Sequence, residues 1–149
     1  MRQLYLTSLV AASIAISGCS SAEPPTAPDA RPVQPGMSQP PAGTGVTGGW
    51  VGVGHSARGS VSFGVQGGVG RLDFSDDFSV SGVPGPFVYV NTTNNANTGR
   101  PLRVSALKSN GGAQSYVFQL PGGASYTWVL IWCDPFNVAV AEAQIPATP

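Results

Sequence analysis

The stretch Tyr126–Ala143 constrains the fold most, because it is the densest apolar run outside the N-terminus. Within it, Thr127–Trp132 is rich in β-branched and aromatic residues and is apolar at every position after the first. Such a run predicts a strand that is covered on both faces, and therefore a central strand of a sheet. Proline lacks the N–H group that a ladder needs, so Asp134-Pro135 is expected to end this strand, and Phe136–Ile145 to form the next one.

Side chains alternate between the two faces of a strand, so this run divides into two sets. One face is expected to carry Val129, Ile131 and Cys133, and the other Leu130 and Trp132. The thiol of Cys133 therefore lies at the last position of a buried strand. At such a position a rigid scaffold can present a reactive group to a ligand.

Composition favours an all-β fold, because the chain contains 20 glycines and 14 prolines, and both numbers are high. No stretch after the predicted signal peptide shows the apolar periodicity of an amphipathic helix over a useful length. Turn signals separate short β-prone segments along the rest of the chain. These segments are 59–66, 69–74 with a bulge near Gly70-Arg71, 78–83, 87–91, 102–107, 115–120 and the two described above. They predict a single antiparallel β-sandwich or small barrel of about seven or eight strands.

The N-terminus has the pattern of a bacterial lipoprotein signal peptide over residues 1–18. Arg2 supplies the positive charge, and Leu4–Ile16 is an apolar run too short to span a bilayer. The run ends in Ile16-Ser17-Gly18-Cys19, which resembles a lipobox: an aliphatic residue and two small ones before the cysteine that receives the lipid. Cys19 is therefore the predicted site of lipidation and of membrane anchoring, whereas an ordinary secretory signal would leave it incidental.

Residues 19–49 follow as the lipidated cysteine and a proline-rich tether, which is predicted to be disordered because it lacks aromatic residues and enough apolar surface to bury. Its expected role is to hold the folded domain, residues 50–147, away from the membrane. Ser20 stands where an aspartate would retain the protein in the inner membrane. The predicted location is the bacterial cell envelope, at the outer membrane facing the periplasm or at the cell surface.

Four stretches of the predicted domain carry a family resemblance. They are HSARGSV at 55–61, PGPFVYV at 84–90, LKSNGG at 107–112 and VLIWC at 129–133. They resemble motifs of the DM-thirteen domain, a small β domain that also accompanies DOMON domains in Skeletor-like proteins. The resemblance implies electron transfer through the cysteine, acting as a bare thiol or as a ligand to a prosthetic group.

Three interpretations of Cys133 remain open at the level of sequence. If Cys19 is acylated, Cys133 has no partner for a disulfide within the chain, and it is either an inert buried residue or a redox thiol. A redox thiol needs exposure, and the charge of the adjacent Asp134 is expected to disfavour a thiolate. In the third interpretation Cys133 ligates haem iron or a metal ion, and His55, the only histidine, is its companion ligand. Two such ligands are too few for a closed structural metal site.

The preferred hypothesis is a membrane-anchored envelope lipoprotein whose β domain takes part in electron transfer or thiol redox chemistry through Cys133, together with a redox partner protein. Turnover of a substrate is not expected. The alternative is a non-catalytic envelope module that binds or adheres through its loops and aromatic residues, with Cys133 as core packing. Nucleic acid is not an expected partner, because charged residues make up only 9% of the chain and its formal net charge is +0.

Overall fold

The structure is a computed structural model that describes residues 23–147. The predicted signal peptide and Cys19 lie outside these residues, so the lipobox and lipidation stay predictions. Eleven strands follow one another in the described part of the chain, with one 3-10 helix at Asp134–Phe136. The strands are β1 Val46–Gly49, β2 Val51–Gly52, β3 Ala57–Arg58, β4 Ser60–Gln66, β5 Val69–Phe74, β6 Ser79–Val80, β7 Pro86–Asn91, β8 Leu102–Ala106, β9 Gln114–Gln119, β10 Trp128–Cys133 and β11 Val138–Gln144.

Two antiparallel sheets pack face to face, which confirms the all-β sandwich and not the closed barrel. The first has four strands in the order β1-β4-β5-β9, and the second has five in the order β2-β11-β10-β7-β8. The short pair β3-β6 forms a third sheet. The main core lies between the two large sheets and takes apolar side chains from both, among them Phe63, Leu72, Val90 and Ile131.

Strand β10 is the central strand of the five-stranded sheet, as its apolar run predicts. Its pairing with β7 is regular over all six residues, while its pairing with β11 shifts between Ile131 and Trp132. The predicted division of faces is confirmed. Val129, Ile131 and Cys133 belong to the main core, and Leu130 and Trp132 to a second cluster on the outer face of the same sheet.

The outer face of the five-stranded sheet is covered by the loop between β7 and β8. This loop is organised by Asn91, which is fully buried. Its side-chain amide donates to the carbonyl oxygens of Asn95 and Thr98, and its side-chain oxygen accepts from the backbone N–H groups of Thr92 and Arg100. The loop therefore folds back over the sheet, where Ala96 joins the outer cluster.

A segment near the N-terminus closes the seam between the two large sheets. β8 and β9 are the edge strands on one side of the sandwich. Pro28 accepts from the backbone of Arg103 on β8, Ala30 donates to the same residue, and Arg31 accepts from Gln119 on β9. This segment and β1 both lie within the range that the sequence assigns to the tether.

The structure differs from the sequence-based prediction in one further detail. The pairing of β4 with β5 is continuous, so the bulge predicted at Gly70-Arg71 is wrong. The apolar alternation fails there because Gly70 has no side chain, and the ring of Phe118 fills the space that a Cβ would enter. Among residues 23–147, no helix has the length and apolar character needed to cross a membrane.

Candidate functional site

The thiol of Cys133 lies at the end of β10 and is packed in the main core. The residue is 2% exposed, and it is the free cysteine of the described residues. Its sulfur donates a hydrogen bond to the carbonyl oxygen of Pro84 at 2.9 Å. This contact requires a protonated sulfur, so the observed arrangement is that of a resting thiol and not of an exposed nucleophile.

The loop that accepts the hydrogen bond of this thiol lies against it at the end of β10. The cover is the irregular segment Ser81–Gly85 between β6 and β7, in which Pro84 itself is exposed. Gly85 has a φ of 59°, and a Cβ at this position would lie 2.9 Å from the ring of Pro135. Val138, the register partner of Cys133 on β11, is 44% exposed. The sulfur is therefore buried, but it lies at the rim of the sandwich.

His55 is exposed in the bend between β2 and β3 and takes no part in either apolar cluster. β2 pairs with β11, and β11 separates it from β10, so a full strand lies between the two candidate ligands. No described His, Cys, Asp or Glu residues form a group of three that could hold a metal ion. A haem held jointly by Cys133 and His55 does not fit this arrangement, because the sulfur is enclosed by core side chains and the imidazole is in solvent.

On the opposite face of β10, a polar network surrounds Asp134. This residue is 7% exposed. Its carboxylate accepts from the hydroxyl of Tyr89 at 2.7 Å and from Nε of Arg103 at 2.8 Å. Arg103 also donates to Asp29 at 3.0 Å and lies over the ring of Phe87, 3.5 Å from the centroid.

The network shifts the ionisation of its members in a consistent direction. Burial raises the pKa of Tyr89 well above its ordinary value, and the hydrogen bond to the Asp134 carboxylate raises it further. Burial lowers the pKa of Arg103, but its hydrogen bonds to Asp29 and Asp134 outweigh that effect and leave it raised. Tyr89 therefore stays neutral and Arg103 charged over the physiological range.

A cleft of about 680 Å³ opens beside the outer face. Its walls come from the N-terminal segment, the loop between β7 and β8, and the turn between β9 and β10, together with Asn137 from the connection between β10 and β11. Arg100 and Tyr126 line it, and the guanidinium of Arg100 donates to the carbonyl oxygen of Gly123 in that turn. Neither Cys133 nor His55 lines this cleft.

The fold and the site define a small antiparallel β-sandwich with one buried thiol at the end of its central strand. The family model "Electron transfer DM13" matches residues 51–145, which is more than half of the chain. The chain belongs to the DM13 family, and the resemblance stated from its motifs is confirmed. No curated protein and no solved structure matches it. Membership supports an electron-transfer or redox role for the domain.

Sequence reasoning identified Cys133 but missed the residues around Asp134. Tyr89 and Arg103 are 45 and 31 residues away from Asp134 in the chain, so no local motif connects them. One signal was available. A polar residue that directly follows a buried strand needs buried partners, and Tyr89 was already placed on a strong strand.

Proposed function

We propose that this chain is a lipoprotein of the bacterial cell envelope, anchored through lipid on Cys19, whose DM13 domain transfers electrons through the thiol of Cys133. The family match carries the electron-transfer role. The lipobox supports the anchor, and the outer membrane or the cell surface is the location it favours. The position of Cys133 at the end of the central strand, one loop below the surface, supports its role as the reacting group.

The reaction that balances with one cysteine is exchange with a disulfide of a partner protein. The Cys133 thiol loses its proton, and its sulfur attacks one sulfur of the partner's disulfide. A mixed disulfide forms, and the other partner sulfur leaves as a thiolate. Cys133 is thereby oxidised and the leaving sulfur is reduced; attack by a second thiol on the mixed disulfide restores the Cys133 thiol.

This chemistry requires the Ser81–Gly85 loop to open, because the resting sulfur is covered and bonded to Pro84. Breaking that bond and the two hydrogen bonds that join Ser81 to Ser56 costs about 3 kcal/mol, which is still less than the free energy of global unfolding. Opening of one irregular loop can therefore expose Cys133 without unfolding the sheets. No step is assigned to a haem or a metal, because the enclosed sulfur of Cys133 and the exposed imidazole of His55 do not fit joint ligation of one.

The rate at which Cys133 reacts with a small aromatic disulfide tests this proposal. If the loop opens locally, the rate is independent of urea at low concentrations, since little surface is exposed. A thiol introduced by Val129→Cys in a Cys133→Ser background is the matched control. It lies on the same face of β10 in mid-strand, so its rate should rise steeply with urea.

Gly85→Ala sharpens the measurement, because the added Cβ collides with Pro135 and displaces the loop. We expect the labelling of Cys133 to accelerate about tenfold, the factor produced by about 1.4 kcal/mol of lost closing free energy. Gly122→Ala, where a Cβ meets open space, should leave the rate unchanged. If wild-type Cys133 reacts only as fast as the molecule unfolds globally, the thiol is core packing and its redox role is excluded.

A binding module is the second candidate function, and the 680 Å³ cleft is the observation that favours it. The aromatic residues expected to make contacts give it little support, since Trp50, Tyr89 and Tyr126 are buried and Trp128 is half-buried. Binding would instead use Arg100 and the polar loop around it. Loss of binding to isolated envelope fragments in Arg100→Ala, with Arg58→Ala as an exposed control, would support this function; equal binding by both variants and wild type would exclude the cleft.

A further inference from the structure

The chain is fastened to the sandwich well before the family domain begins. Ala27 packs on the outer cluster, and residues 28–31 bridge the edge strands β8 and β9. Further along, Met37 accepts a hydrogen bond from the side chain of Gln119, and Gly43 donates to Asp73 at 2.8 Å. β1 then pairs with β4. From Ala27 onward, the segment is therefore part of the folded unit and does not add to the distance between the domain and the membrane.

The start of this segment lies at the cleft. Glu23, Pro24 and Thr26 form one wall, and the turn Pro121–Gly122 and Arg100 stand on the others. Cys19 precedes Glu23 by four residues. Covalent geometry limits four residues to about 14 Å, at 3.3–3.6 Å per residue. A lipid on Cys19 can therefore be no farther than this from the cleft.

We propose that the short connection holds the cleft side of the domain against the membrane surface. The lipid headgroups face Glu23, Arg100 and the turn after β9, while the opposite end of β9 points away. This inference rests on the anchor proposed above and reverses the expected role of the segment, because the domain is kept at the membrane instead of being held off it.

The register of the strands places the redox thiol relative to this surface. Pro86 is the partner of Cys133, its carbonyl accepts from Leu107, and Lys108 beyond it donates to the hydroxyl of Tyr116 on β9. Cys133 thus shares the end of the sandwich with the start of β9, whereas most of the cleft lining adjoins the end of β9, with Asn137 after the 3-10 helix as the exception. β9 has six residues, which separates its two ends by about 17 Å. A partner protein then reaches Cys133 from the side away from the lipid.

Charge does not explain this orientation. The short length of the connection between Cys19 and Glu23 is therefore its cause. The chain has a formal net charge of +0, and the cleft carries both Glu23 and Arg100. A neutral surface of this kind gains little from anionic lipids. Lengthening the connection should therefore abolish the orientation while leaving the anchor and the fold in place.

Two single labels on the acylated full chain test the proposal in lipid vesicles. Gly122→Cys and Gly111→Cys, each in a Cys133→Ser background, flank β9 at its two ends and have no Cβ contact closer than 3.4 Å. A fluorophore at residue 122 should be quenched by lipids with nitroxide-labelled headgroups roughly twofold more than one at 111, because about 17 Å separates the sites.

The decisive variant inserts about 20 Gly and Ser residues between Ala22 and Glu23, a spacer with an average span of about 25 Å. We expect the difference between the two labels to disappear. Equal quenching of both labels with the natural connection, or a difference that survives the insertion, would overturn the proposal. Failure of the anchor itself is recognised separately, since unacylated protein would not sediment with the vesicles at all.

Discussion

Cys133 and Asp134 are consecutive in the chain, but they lie in opposite environments. Cys133 points into hydrocarbon between the two sheets and makes one weak hydrogen bond to a loop carbonyl. Asp134 points to the other face, where a phenol and a guanidinium hold its carboxylate. The inner face of the five-stranded sheet can therefore tolerate replacement of Cys133 by a residue of similar size and shape. The stability of the outer face depends on the charge of Asp134.

The comparison also removes an objection to the chemistry of the thiol. From sequence, the charge of Asp134 is expected to oppose a thiolate at its neighbour. In the structure that charge is balanced by Arg103 on the far side of the sheet. Adjacency in the chain is not adjacency in space, because Cys133 ends β10 facing the main core and Asp134, the first residue of the 3-10 helix, faces Tyr89 on the outer side.

Asp134→Asn should have the largest effect. The substitution keeps the size of the side chain but removes one of the two carboxylates that hold Arg103, so we expect a loss of about 2 kcal/mol in the free energy of unfolding. The midpoint of urea unfolding measures it. Asp76→Asn, at an exposed position, is the control and should change stability very little; similar losses in both variants would mean that the network does not stabilise the outer face.

Tyr89→Phe should cost less at neutral pH, about 1.5 kcal/mol, because Asp134 keeps its bond to Arg103. The pKa of Tyr89 is raised in the folded state. Its contribution is therefore complete below the ordinary value near 10 and is lost as the pH rises through the folded pKa. The free energy of unfolding of the variant should therefore fall less steeply with rising pH than that of the wild type.

The control for this prediction is Tyr126→Phe, since the Tyr126 hydroxyl has no hydrogen-bond partner among the described residues. At neutral pH it should retain nearly all of the wild-type stability. An identical loss in the two tyrosine variants would show that the bond to Asp134 contributes nothing, and the contrast between the two faces would rest on Arg103 alone.

Cys133→Ser should have the smallest effect, about 1 kcal/mol. A serine hydroxyl can still donate to the carbonyl oxygen of Pro84, but it is less favourable than sulfur among apolar side chains. Thermal unfolding measures the change. A loss as large as that of Asp134→Asn would contradict the idea that the inner face tolerates an exchange of similar size and shape.

The sequence was sufficient for the elements whose signal is local. All eight predicted strands are present, and the alternation in β10 assigned each of its side chains to the correct face. The remaining short strands, β1 to β3, were missed because each is only two to four residues long and glycine-rich or polar. Hydrogen bonding to neighbours, and not apolar burial, defines them.

Only half of the candidate site could be predicted from the sequence, for the same reason. Cys133 follows from composition and strand position alone. The Ser81–Gly85 cover, the Asp134 network and the folded-back loop on Asn91 depend on contacts between distant residues or on backbone carbonyls, which leave no periodic pattern. The proline-rich segment was the hardest, since its residues join the fold through main-chain bonds to Arg103 and Gln119.

The strip of chain at Pro28–Arg31 also bears on where this protein can be cut. A fragment trimmed to the family boundary at Val51 would lose both this strip and β1. The unpaired edges of β8, β9 and β4 could then pair with strands from other copies, and such pairing leads to aggregation of β proteins. A well-behaved recombinant fragment should therefore begin no later than Ala27.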